Sequence, residues 1–202
     1  MTEVASGHDS RACDQTRRIP GEPGLWIFIF GDLVVFAVLF GVFLHARGAG
    51  PELFRRSQDT LNRDYGAVNT LVLLLSSMLV VLASRALNSE AYQRLAPRLV
   101  LGAIGCGLVF VGVKVVEYHE MINEGLTPAV NSFYMYYFVL TGLHLFHLLL
   151  GMGVLTVMFS TARDTPATTA GRRSLFEGGA CFWHMVDLLW IVIFPVVFLV
   201  RS

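Results

Sequence analysis

Five long apolar runs dominate the chain and restrict its fold more than any other feature. They cover roughly residues 25–45, 67–86, 98–119, 133–159 and 178–200. A run of about 20 mostly apolar residues is long enough for a helix to cross the hydrocarbon core of a bilayer. Within that core the backbone satisfies its polar groups inside the helix, because no water is there to do so. The expected fold is therefore an all-α membrane protein, a bundle of five transmembrane helices. The short connections make neighbouring helices antiparallel.

Composition agrees with this reading. The 202 residues are 54% hydrophobic and 15% charged, against about 25% charged in an ordinary soluble domain. Formal net charge is zero, so nothing points to nucleic acid as a partner. Three cysteines, Cys13, Cys106 and Cys181, form no C-x-x-C pair. The last two sit in apolar runs and read as small buried thiols rather than a disulfide scaffold. Residues 1–24 form a polar tail without the apolar segment of a cleavable signal peptide, so the first run is expected to remain as a span. The tail is expected to be disordered or to lie on the membrane surface. Residues 25–202 then make a single transmembrane domain.

Arginine sets the expected orientation. Nine arginines (Arg11, Arg17, Arg18, Arg85, Arg94, Arg98, Arg163, Arg172 and Arg173) fall on one side of such a bundle. Five (Arg47, Arg55, Arg56, Arg63 and Arg201) fall on the other. The excess places the N-terminus in the cytoplasm and the C-terminus outside.

Ionisable residues at membrane depth are costly and face protein or water rather than lipid. Asp32 lies about two turns into the first run, and Lys114 and Glu117 lie in the third. Three residues apart, Lys114 and Glu117 share a helix face and can pair. A structural ion pair near the interface, helped by lysine snorkelling, is favoured over a charge in an ion pathway. His144 and His147 share a face of the fourth run, and His184 in the fifth makes a third intramembrane imidazole. A bis-histidine haem between these helices is geometrically conceivable. With only six histidines in the chain, hydrogen-bonded neutral histidines joining helices are the better reading.

Glu177, His184 and Asp187 follow one stripe of the fifth run, with Trp183 and Trp190 a heptad apart as packing residues. His184 and Asp187 can hold a proton in a wire, or satisfy each other against His144 or His147; the sequence leaves both open. Gly102, Gly105, Gly107 and Gly112 in the third run, with Gly142, Gly151 and Gly153 in the fourth, let helix backbones approach closely. No phosphate-binding loop, dinucleotide fingerprint, nucleophile elbow or H-E-x-x-H is present.

Five stretches, in order, resemble subunit III of the haem-copper oxidases. FEGGACFWHMVDLLWIVIF is similar to that family's E-x-x-x-x-Y-W-H-F-V-D-x-x-W, with Phe182 where tyrosine is usual. TGLHLFHLLLG resembles T-G-F-H-G-L-H-V-x-x-G, and KVVEYHE resembles Q-x-x-E-Y-x-E with Lys114 replacing glutamine. NTLVLLLSS, from Asn69 to Ser77, resembles N-T-x-x-L-L-x-S-S/G. FGDLVVFAVLF stands in the place of S-E-x-x-F-F-x-x-F, with Asp32 for the family's glutamate. PGEPGLWIFIFGD, RRSQDTLN, SFYMYYFVLTG and the closing arginine are most similar to the NorE-type branch found beside nitric oxide reductases.

The resemblance implies a non-catalytic subunit of the bacterial plasma membrane, without catalytic residues, metal or redox cofactor of its own. It would support assembly, stability and proton uptake of a catalytic subunit. The expected partner is a haem-copper oxidase or nitric oxide reductase catalytic subunit, which would carry haem together with copper or non-haem iron. Phospholipid is the further ligand the family suggests, in a cleft built partly by two N-terminal helices that this chain would lack. Asp32, Asn69, Lys114, Glu117, His144, His147, Glu177, His184, Asp187 and Trp190 are the candidates for assembly or proton-related roles. The alternative is a self-sufficient membrane redox or proton-translocating protein that uses His144, His147, His184 and Asp187.

Overall fold

The computed structural model describes residues 23–87, 89, 91–164 and 170–199. Six α-helices account for most of them: α1 (Pro23–Ala49), α2 (Pro51–Asp59), α3 (Arg63–Leu87), α4 (Ala96–Asn123), α5 (Ser132–Asp164) and α6 (Ala170–Phe194). No strand occurs among the described residues. Five helices are long and apolar enough to cross a membrane, over Trp26–Ala49, Arg63–Leu87, Gln93–Asn123, Ser132–Arg163 and Ser174–Leu199. Each expected span is found, and the helices run past the apolar limits, most of all at the start of α6, which begins eight residues before position 178. Polar residues continue a helix once its apolar centre has formed, so hydropathy marks the lipid-facing part and not the helix ends.

The spans make one bundle in which α6 is the inner helix. It lies against α3 and α5 and touches α1, while α3 and α4 form a close antiparallel hairpin. Trp183, Val186, Trp190 and Ile193 of α6 are fully buried. Much of the outer surface is apolar, for example Ile27, Phe30 and Leu71, as expected where lipid is the solvent.

The first connection is more than a loop. Pro51 opens α2 with its fixed φ, and Glu52 and Arg56 complement the helix dipole at its two ends. Phe54, Ser57 and Gln58 form its buried face. Phe54 meets Phe43 and Phe133 edge-on, each at 5.5 Å between centroids. Ser57 Oγ accepts from Asn131 Nδ2 at 3.1 Å, and Thr60 Oγ1 bonds the Tyr134 hydroxyl at 2.8 Å. Hydropathy alone missed this helix because it is polar overall and only one stripe of it is apolar.

The last span departs from the single helix expected over 178–200. Pro195 has no N–H to give and its ring crowds the preceding turn, so α6 ends at Phe194 and opens into a π-helical turn over Pro195–Leu199. Gln58 Nε2 of α2 donates to the Val197 carbonyl at 2.7 Å and thereby satisfies backbone within that turn. At the end of α4, Gly125 adopts φ 77°, with Leu126 N bonded to Met121 O and Gly125 N to Ile122 O. That pair of bonds is a Schellman motif, and a residue with a Cβ would be strained there.

The glycines are unequal. A Cβ on Gly151 would sit 2.8 Å from the Trp183 ring, and one on Gly66 would sit 2.5 Å from Phe194. Gly102 and Gly107 are tight against Leu79 and Met152, at 3.2 and 3.1 Å. Gly105, Gly112, Gly142 and Gly153 meet nothing within 4 Å, so the continuous glycine seam expected along the third and fourth runs is corrected to Gly102, Gly107 and Gly151. The expectations for the N-terminal tail, residues 1–22, and for Arg201 lie outside the described residues.

Candidate functional site

The polar groups at membrane depth gather into three centres, each joining different helices. The first links α1 to α5. His147 Nε2 lies 2.9 Å from Asp32 Oδ1, and both side chains are nearly buried. His147 Nδ1 stands 2.8 Å from the Leu143 carbonyl. A carbonyl only accepts, so Nδ1 carries a proton. One further proton must then lie between Nε2 and Asp32, held by either atom, and the pair is net neutral as a whole. Phe36 closes against the His147 ring at 5.6 Å.

The second centre is built on Lys114. The residue is 1% exposed, and its Nζ donates to Glu117 Oε2 at 2.8 Å and to the Tyr137 hydroxyl at 3.2 Å. Tyr137 in turn donates to Glu117 Oε1 at 2.6 Å, closing a triangle across α4 and α5. Four rings surround the ammonium: Trp190 at 4.8 Å, Tyr137 at 5.3 Å, Phe198 at 5.6 Å and Tyr118 at 5.8 Å. Snorkelling to the interface, expected from the sequence, is therefore replaced by a fully enclosed pair. The aromatic faces supply the electrostatic contact that water would otherwise give. His144 is wedged beside this centre, between Phe110 at 5.6 Å and Trp190 at 5.2 Å. It is fully buried, with neither ring nitrogen hydrogen-bonded among the described residues.

The third centre joins α3 to α6. His184 Nδ1 bonds Ser77 Oγ at 2.7 Å. Trp183 Nε1 donates to Ser76 Oγ at 3.2 Å, and Trp190 Nε1 donates to Thr70 Oγ1 at 3.1 Å. Ser76 then donates to the Ala103 carbonyl at 3.1 Å, which carries the link on to α4. His184 and Asp187 thus do not satisfy each other directly: His184 is bonded to Ser77, and neither oxygen of the buried Asp187 is hydrogen-bonded among the described residues. Glu177, lower on the same helix, is half-buried.

All ten candidate residues lie in the spans, and six of them are drawn into the first two centres (Asp32, His147, Lys114, Glu117, His144 and Trp190). Asn69 is completely buried, with its amide unbonded among the described residues. Sequence reasoning missed Tyr137, Thr70, Ser76 and Ser77 as partners. Ser76 and Asn69 are a heptad apart in NTLVLLLSS, a spacing that shares one helix face, and this was the available signal. Among the described residues no three His, Cys, Asp or Glu side chains come together as a metal site. What the arrangement can do chemically is fix helix rotation, because each centre bridges helices that apolar contacts alone would let slide.

The sequence matches the family described as cytochrome c oxidase subunit III over residues 6–202. It is 28% identical to cytochrome c oxidase subunit 3 of Alkalihalophilus pseudofirmus, over 93% of this chain and 96% of that protein. It is 29% identical to cytochrome bo(3) ubiquinol oxidase subunit 3 of Pseudomonas aeruginosa, over 89% and 84%. A probable quinol oxidase subunit 3 of Staphylococcus haemolyticus is 26% identical, over 88% and 87%. Five apolar helices and bacterial relatives of this kind make it a multi-pass protein of the bacterial plasma membrane. Matched along nearly its whole length, the chain belongs to the cytochrome c oxidase subunit III family, the accessory subunits of haem-copper oxidases.

Proposed function

We propose that this subunit docks beside a haem-bearing catalytic subunit and supports its assembly, stability and proton uptake. The observation that carries the reading is the end-to-end match to subunit 3 of cytochrome c and quinol oxidases. The three interhelical centres support it, because they spend the intramembrane polar groups on holding helices together. The alternative of a self-sufficient redox protein needs ligands gathered at one point, whereas among the described residues no three His, Cys, Asp or Glu side chains come together and His147 is engaged with Asp32. The N-terminus is cytoplasmic in this reading, on the arginine-rich side, and residues 25–202 act as one transmembrane domain.

Within the family we assign the chain to the five-helix, NorE-type branch, whose catalytic partner is a nitric oxide reductase or a related terminal oxidase. Lys114 in the place of the family's glutamine is the feature that favours it. Phospholipid would fill the apolar surface left by the partner. Affinity purification in mild detergent tests the reading: a haem-containing subunit should co-isolate, and the complex should consume oxygen or nitric oxide. A stoichiometric haem band on the isolated chain, lost in His144→Ala, would overturn it.

A further inference from the structure

His184 differs from the other intramembrane imidazoles in where it stands. His144 and His147 are buried in the bundle, whereas His184 is only partly buried, on the seam between α3 and α6. Ser77 occupies its Nδ1, and among the described residues its Nε2 meets no protein partner. His184 falls ten residues into the span Ser174–Leu199. At about 1.5 Å per residue that is roughly 15 Å along the helix, near the middle of a core about 30 Å thick. Acyl chains offer no hydrogen bond at this depth, so an imidazole nitrogen turned toward them is left unsatisfied.

The exposed neighbours of His184 are apolar, with Ser77 and the buried Asp187 behind them. Leu188 and Ile191 continue its side of α6 and are 54% and 44% exposed. Leu74 and Val81 flank Ser77 on α3 and are also exposed. One exposed, unmet imidazole nitrogen within a rim of exposed apolar side chains is complementary to a protein helix with a single hydrogen-bonding side chain, the rim excluding lipid and water from the bond. The outer face of α4 offers a contrast. Leu101, Leu108, Val109, Val115 and Val116 are exposed there, and no polar side chain interrupts them, which suits lipid alone.

We propose that the α3–α6 seam centred on His184 is the surface that receives a transmembrane helix of the catalytic subunit, with a hydroxyl or carboxamide side chain of that helix bonded to His184 Nε2. This rests on the accessory-subunit reading above and names the face through which the partner is held. Such side chains both donate and accept, and so serve either tautomer of the imidazole.

Site-specific photo-crosslinking tests it in membranes that hold the assembled complex. A photo-reactive benzoylphenylalanine in place of Leu188 should give an adduct with the catalytic subunit, and the same residue in place of Val109 on α4 should not. In parallel, His184→Leu should lower the yield of co-purified catalytic subunit about tenfold, and His184→Gln by less than about threefold. Adducts at position 188 with a second copy of this chain or with lipid alone would overturn the docking face. So would an adduct with the catalytic subunit from position 109 only, or full co-purification of His184→Leu. If the unaltered chain brings down no haem-containing subunit, the functional reading falls and the docking face with it; a complex that forms but cross-links elsewhere removes only the docking face.

Discussion

His147 on α5 and Asp32 on α1 meet through Nε2 and Oδ1 at 2.9 Å, a nearly buried contact that contains one shared proton. Apolar surfaces also hold α1, notably Phe43 against Phe54 and Phe28 against Phe182. Because Nδ1 of His147 is a donor to Leu143, an amide at position 32 can donate to Nε2 and keep the bond. Asp32→Asn is therefore expected to retain stability, and Asp32→Leu to lose about 1–3 kcal/mol by leaving Nε2 buried and unbonded. Thermal unfolding of the two variants in one detergent checks this, and equal loss in both would refute the shared-proton geometry.

The enclosed Lys114 leads to a second expectation. Lys114→Met removes the cation and leaves Glu117 buried with the Tyr137 hydroxyl as its remaining bonded partner. Breaking a buried pair on one side typically costs about 3–5 kcal/mol, while removing both charges costs much less. The double variant Lys114→Met, Glu117→Gln should recover most of the loss. Residual folded fraction after heating separates the outcomes; if the double variant is no better than the single, the pair is not the source of the cost.

Glycines that looked alike in the sequence should respond differently to alanine. Gly151→Ala drives a methyl into the rigid Trp183 ring at 2.8 Å and should destabilise by about 1–3 kcal/mol. Gly105→Ala points into open space and should be neutral or slightly stabilising, through better helix propensity of up to about 1 kcal/mol. Melting temperatures of the two variants measured side by side test the contrast.

The bond from Gln58 to the Val197 carbonyl ties α2 to the π-helical turn. Gln58→Leu should leave the spans intact while raising hydrogen exchange in α2 and in residues 195–199 together. The lost bond is worth about 0.5–1.5 kcal/mol. Exchange that rises in α2 alone would show that the turn does not depend on it.

Much of this protein was legible in its residues. Long apolar runs name spans because a bilayer leaves the backbone few alternatives. Polar residues within those runs face inward because lipid penalises them, which correctly marked Lys114, Glu117, His144, His147 and Asp187 as interior. The i,i+3 spacing of Lys114 and Glu117 was enough to predict their pairing, since both sit on one rigid helix.

Tertiary structure decided the partners that lie on other helices. Which side chain His184 meets depends on how α3 and α6 are rotated and crossed, and that geometry put Ser77 beside it where the sequence suggested Asp187. The same applies to Asp32 and His147, more than a hundred residues apart, and to the aromatic cage around Lys114. Periodicity along one helix states which residues share a face, and only the packing of the helices states what that face touches. The amphipathic α2 shows the converse limit: its apolar stripe is too narrow for hydropathy to register, and it becomes visible when Phe54 finds Phe43 and Phe133.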